Sequence, residues 1–223
     1  MTRSLFIEAM TKVLAGVILM GLLLFVPAGT LDYPEGWRLM LILFAPMFLA
    51  GVVMMIKSPA LLQKRLNAKE KLGEQKLVVA LSAAMFIACF VLSGFCFRFG
   101  FLLLPGWISW AGCAAFLLAY LLYAFVLAQN EFLSRTIEVQ ENQRVVDTGL
   151  YGVVRHPMYS ATILLFIAMP LILRSVPGVL VLLVYPFLIV RRILSEEAFL
   201  TENLPGYAQY KQKIRWRLIP FIW

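Results

Sequence analysis

The sequence predicts an all-α, polytopic integral membrane protein, folded as a single membrane domain over residues 1–223, with about six membrane-embedded helices. Composition is the first reason. At 62% hydrophobic and 14% charged over 223 residues, the chain has too few charges to cover a globule of this size in water. Patterning is the second: uncharged runs of about 20 residues recur, the length that carries a helix across a bilayer core. A spanning segment must satisfy its own backbone hydrogen bonds, which a helix does. Third, the basic residues gather in alternate links between these runs, as the positive-inside rule demands of a multi-pass protein.

The head, residues 1–12, carries Arg3, Glu8 and Lys12, and the apolar run from Val13 to Ala28 follows it. No small-x-small cleavage site precedes a soluble domain and further spans come at once, so the run reads as a transmembrane helix rather than a signal peptide. The connection from Gly29 to Gly36 holds Asp32 and Glu35 and no basic residue, and Trp37 opens a second span that ends near Ile56. Pro46 lies inside that span and predicts a kink. The polar link from Lys57 to Lys76 sets Lys57, Lys64, Arg65, Lys69, Lys71 and Lys76 against Glu70 and Glu74, which puts it in the cytoplasm. The third span runs from Leu77 to Phe97 and the fourth from Trp107 to Ala128, joined by a short outer link with Arg98. Residues 1–128 thus read as four transmembrane helices.

Residues 129–223 form the other half. Two shorter apolar segments, Met158 to Leu173 and Val176 to Val190, are separated by Arg174-Ser175. They predict a tight hairpin over 157–190 that barely crosses or partly re-enters, with arms bent at Pro170 and Pro186. The tail carries Arg191, Arg192, Lys211, Lys213, Arg215 and Arg217, so both termini are expected in the cytoplasm.

The net charge of +8 suggests nucleic acid, but these cations flank spans where the membrane rule already requires them. Cys89, Cys96 and Cys113 lie within spans in no CxxC arrangement and far from His156, so no metal or disulfide framework is expected. There is neither a P-loop nor a Gly-x-Gly-x-x-Gly following a strand.

The chemistry concentrates from Asp147 to Tyr159, which contains the sole histidine, His156, with Arg155 beside it and Tyr151 and Tyr159 on either side. Pro157 suits the first turn of the hairpin's first helix, where a missing N–H costs nothing. Arg191, Arg192, Glu196 and Glu197 leave the second arm at the same membrane face, so closing the hairpin brings the clusters together. Arg192 and Glu196, four apart, share a face if the helix continues. Taken singly, each residue has a plain reading as an interface anchor, a solvated turn or a member of an aromatic belt. Their occurrence on both sides of one hairpin favours function, because ionisable groups held close to apolar spans are costly.

Gly149-x-Tyr151-x-x-x-Arg155-His156-Pro157-x-Tyr159, the hairpin, Arg192-x-x-x-Glu196-Glu197 and Gly206-Tyr207-x-x-Tyr210 together resemble the isoprenylcysteine carboxyl methyltransferase family and its bacterial and archaeal relatives, including phospholipid methyltransferases. The resemblance covers roughly residues 135–220. It implies a prokaryotic inner-membrane enzyme that transfers a methyl group from S-adenosyl-L-methionine, bound in a cytoplasmic pocket of the carboxyl-terminal half, to a lipid-like or prenylated acceptor arriving from the bilayer. On matching positions, Gln143, Arg144, Val145, Val146, Tyr151, His156, Pro157, Met158, Tyr159 and Glu196 would enclose the cofactor. Arg192 would face the substrate, and Arg192 and Arg155 would be the catalytic arginines. Ala161 stands where the family usually has glycine, which bears on substrate size. No nucleic acid or metal partner is implied; membrane lipids are.

Such chemistry suits these side chains. A carboxylate nucleophile is already ionised near neutral pH, so it requires no dedicated base, and acceleration rests on alignment. An arginine can grip a carboxylate or phosphate bidentately. Other readings stay open: amine methylation of a phospholipid, a sterol-type reductase with a similar carboxyl-terminal half, and a non-catalytic scaffold whose basic loop binds anionic lipid.

Overall fold

The computed structural model describes residues 3–66, 73–134 and 136–223. Lys69, Glu70 and Lys71 of the basic link lie outside them. The first four apolar runs form α1 (Arg3–Ala28), α2 (Pro34–Lys57), α4 (Gly73–Phe99) and α5 (Gly106–Gln129), with a short α3 (Pro59–Leu66) inside the link read from sequence as merely polar. α2 passes through Pro46 without ending. These helices show apolar side chains to their surroundings, such as Ile18 at 62%, Leu41 at 68% and Leu118 at 63% exposed. A surface of this kind suits a solvent of lipid tails.

Small residues set how closely the helices approach. A β-carbon at Gly94 would come within 2.7 Å of the Leu24 carbonyl, and one at Gly112 within 2.9 Å of the Ile172 nitrogen. α1 therefore lies against α4, and α5 against the hairpin, at near backbone contact. Between them a core of Leu24, Leu39, Phe116, Ile172 and Leu182 is closed to solvent.

The hairpin begins as expected but does not end so. α6 (Pro157–Ile172) is its first arm, and α7 (Val176–Leu182) starts behind a Ser175 cap whose hydroxyl accepts from the Gly178 N–H at 3.0 Å. Pro186 cannot donate to the carbonyl of Leu182, and the chain breaks after Leu182 before resuming as α8 (Tyr185–Asn203). The second arm thus continues well past Val190 and carries Arg192, Glu196 and Glu197 on one unbroken helix. A last helix, α9 (Tyr207–Lys213), follows Gly206 at φ +87°.

The hairpin tip reaches the same end of the bundle as the α1–α2 and α4–α5 links. Leu104 N–H donates to the Arg174 carbonyl at 2.8 Å and Val176 N–H to Leu102 at 3.1 Å. Arg174 also pairs with Glu35 at 3.3 Å, while Arg38 donates to Ser109, whose hydroxyl in turn donates to the Ile172 carbonyl at 2.6 Å. The short hairpin therefore extends as far as its longer neighbours. Among the described residues five segments are long and apolar enough to cross a membrane, the shorter α6 accompanying them.

Candidate functional site

The opposite end of the bundle gathers the polar residues. His156 precedes a proline and stays outside the helical region, at φ −127° and ψ 59°, in keeping with the bar on the α region at that position, and Pro157 opens α6. The tail then locks this junction: Arg155 N–H donates to Trp216 and His156 N–H to Arg217, each at 2.9 Å, and the Ser160 hydroxyl donates to Leu218 at 2.7 Å. Upstream, Gly149 takes φ +59°, and a β-carbon there would meet the Gln129 side chain at 2.6 Å. Gln129 instead accepts from Leu150 N–H at 2.9 Å. Tyr210 donates to the Tyr151 carbonyl at 2.8 Å, tying α9 to the same loop.

Beneath the surface sits a buried ionic cluster centred on Glu197, which is 2% exposed. One carboxylate oxygen accepts from Arg155 Nε at 2.7 Å and lies 3.3 Å from His156 Nε2; the other accepts from Arg217 Nε at 3.0 Å. Arg155 further donates to the Ile214 carbonyl at 2.9 Å. A charge taken out of water is tolerable only when paired and hydrogen-bonded this fully. Arg155, expected to be catalytic, is thus engaged in clamping α8 to the tail.

A second chain runs alongside. Tyr159 stacks against the His156 ring, donates to Glu196 Oε2 at 2.5 Å and accepts from Arg192 Nε at 2.9 Å. Glu196 and Arg192 do share a face of α8, with the Tyr159 hydroxyl between them.

These groups border an open cleft enclosing ≈ 770 Å³ of space free of protein atoms, part of it in contact with solvent. Gln143, Arg144, Val145, Val146, Tyr151, Arg155, His156, Met158, Tyr159 and Glu196 all line it. Two expected residues do not. Pro157 is buried at the head of α6, and Arg192, expected at the substrate end, stands one side chain behind the cleft, at the back of Tyr159. Ala161 is fully buried in α6. Sequence reasoning gave no role to Asn130, Leu200, Leu204, Tyr207 or Tyr210, which also line it together with the 132–138 stretch; the Gly206-Tyr207-x-x-Tyr210 motif was the available signal for the last two.

Two buried hydroxyls in this wall, those of Tyr151 and Tyr207, lack a hydrogen-bond partner among the described residues, although the Asn130 side chain lies beside the first. Burial pushes the Tyr151 phenol up to about 12. Burial also raises that of Tyr207, reinforced by the charges of Glu197 and Glu196. Both keep their protons and present O–H donors. A buried donor left unmade is expensive, so the pair fits a cleft built to receive acceptor atoms of a bound molecule. At the rim, Lys213 bonds Asp147 at 2.6 Å and holds that carboxyl below its usual range. No group of three or more metal-ligating side chains occurs among the described residues.

Residues 107–205 match the family model described as phospholipid methyltransferase. No curated protein sequence matches the chain significantly. Among solved structures, the eukaryotic intramembrane Ras methyltransferase, isoprenylcysteine carboxyl methyltransferase, superposes with a TM-score of 0.55 at 18% identity, over 92% of this chain and 74% of that one. That likeness shows a common fold, and the family match includes every cleft-lining residue except Tyr207 and Tyr210 of α9. Residues 107–205, somewhat under half of the chain, thus carry the phospholipid methyltransferase pattern, on a fold shared with an intramembrane methyltransferase.

Proposed function

We propose that this protein is an S-adenosylmethionine-dependent membrane methyltransferase acting on a lipid-like acceptor, in the first place the carboxylate of a prenylated cysteine or a similar group. The observation that carries the reading is the cleft itself, where Glu196 and His156 meet the buried hydroxyls of Tyr151 and Tyr207, which lack a hydrogen-bond partner among the described residues; all of these but Tyr207 lie within residues 107–205, which match a methyltransferase family model. When bound, the cofactor supplies a methyl group on a positively charged sulfur. Glu196 accepts hydrogen bonds from its ribose or amino group, the Gln143–Val146 segment and Met158 close around it, and Tyr207 donates. Tyr159 fixes the Glu196 carboxylate, and Arg192 holds Tyr159 from behind. Arg192 then serves the acceptor indirectly, as a positioning residue. Excluding water and aligning the reactants provide the acceleration.

Titrating detergent-purified protein with S-adenosylmethionine and with its demethylated product tests the reading, and failure to bind either would sink it. The family match favours a second acceptor, a phospholipid amine. An amine must lose a proton to react, so a methylation rate that falls on the acidic side would select it over a carboxylate.

The orientation proposed with this function puts the cleft and both termini in the cytoplasm, on the side of the basic link. Cys89, Cys96 and Cys113 are buried, so an introduced cysteine at exposed Ser58, where α2 ends, reports without background. An impermeant maleimide should leave Ser58→Cys unlabelled in intact cells and label it after permeabilisation. Labelling from outside would reverse the orientation.

A further inference from the structure

At the end of the bundle where the hairpin tip meets the α1–α2 and α4–α5 links, Arg38 carries a charge that no carboxylate answers. The acidic residue one turn back on α2, Glu35, is engaged by Arg174 at 3.3 Å, and Arg38 makes no ion pair among the described residues. Its Nη1 donates to Ser109, whose hydroxyl passes the chain on to the Ile172 carbonyl at 2.6 Å. Its Nε and Nη2 have no hydrogen-bond partner among the described residues, and protein does not close them off. A cation held against apolar spans without a counter-charge is costly and calls for a partner from outside the chain.

The surroundings indicate what that partner is. The guanidinium lies over the Trp110 ring, 4.3 Å from its centre, which restrains its plane. Trp107 and Trp110, three apart on α5 and so on one face, are both exposed, as is Trp37 at the start of α2. Exposed tryptophans gathered at one end of a set of spans mark the level of the lipid headgroups. Deeper along the same two helices, which touch one another, the flanks are apolar, with Leu41 and Leu49 on α2 and Leu118 and Leu121 on α5 exposed. One open cation above two apolar flanks matches a phosphate above acyl chains.

We propose that Arg38 and Trp110 form a binding site for the phosphate of a phospholipid in the leaflet away from the cleft, the lipid's chains lying along α2 and α5. The Nε and Nη2 edge of a guanidinium takes two phosphate oxygens at once, and this is the edge that Arg38 leaves open. A phosphate held there also fixes Arg38 on Ser109, and through Ser109 the end of α6 just before the hairpin turns. The lipid thereby braces the helix whose other end begins at the cleft. The site does not depend on the methyltransferase reading, nor that reading on the site.

The experiment uses the full chain, purified in non-ionic detergent and stripped of lipid. Thermal unfolding is followed as dimyristoyl phosphatidylglycerol, the phosphate-free dimyristoyl glycerol or the lipid-free glycerol 3-phosphate is added. Phosphatidylglycerol should raise the midpoint by about 2–4 °C, and the other two should leave it in place. Arg38→Gln should abolish the rise, Arg38→Lys should keep part of it, and Trp110→Leu should reduce it. Lys57→Gln, at the far end of α2, should leave the rise intact, which separates this site from a general attraction of anionic lipid to basic residues. The rise rather than the starting midpoint is the readout, because Arg38→Gln also loses the bond to Ser109. An equal rise with either control compound, a rise that survives Arg38→Gln, or one lost equally in Lys57→Gln would overturn the proposal. If Arg38→Gln fails to fold, Trp110→Leu decides, and an undiminished rise in that variant overturns it as well.

Discussion

Replacing Glu197 by glutamine is expected to destabilise the protein by about 3–5 kcal/mol, the usual consequence of removing one partner from a buried ion pair. The carboxylate is shared by Arg155 at 2.7 Å and Arg217 at 3.0 Å, with His156 at 3.3 Å. Glutamine keeps the shape but leaves the buried Arg155 without a counter-charge. The amide also turns a donor toward groups that themselves donate. Thermal unfolding in detergent measures the effect, and Glu197→Asp should restore part of the loss. The tail should loosen in parallel, because Arg155 and Arg217 are the groups through which residues 214–217 are tied to α8. An unchanged unfolding midpoint for Glu197→Gln would mean that the cluster is not a structural clamp.

Replacing Glu196 by alanine should instead weaken binding of S-adenosylmethionine by about 1–3 kcal/mol, or about 5- to 150-fold, as expected for losing a polar contact in a poorly hydrated site. Stability should change far less, because Glu196 reaches into the cleft and its described hydrogen-bond partner is Tyr159. Calorimetric titration beside an unfolding scan separates the two adjacent carboxylates. His156→Ala is the less clean probe, since its ring lies against both Tyr159 and Glu197 and both measurements will move. Wild-type affinity in Glu196→Ala would remove this carboxylate from the cofactor site.

The contrast between Glu196 and Glu197 marks where one-dimensional reading ends. Successive residues on a helix differ by about 100° in direction, so one of the pair must face away from the cleft, and the sequence does not say which. Only the pairing of the tail with residues 155–156 turns Arg155 and Arg217 onto Glu197 and leaves Glu196 for Tyr159. Arg192 is the same case. Its spacing from Glu196 was legible, but the Tyr159 ring that stands between it and the cleft belongs to another helix.

What the sequence determined by itself was the solvent, the spans and the cluster. Long uncharged runs admit few arrangements other than helices in lipid, and residues flanking one hairpin at the same face must meet. The tertiary structure decided what depends on side chains of distant segments. It carried the second arm to Asn203, brought the tip level with the α1–α2 and α4–α5 links, and set Arg65 against Tyr123. Hydropathy fixes which segments enter the bilayer, whereas the choice of partner within it is made by close packing and directed hydrogen bonds, which leave no periodic trace along the chain.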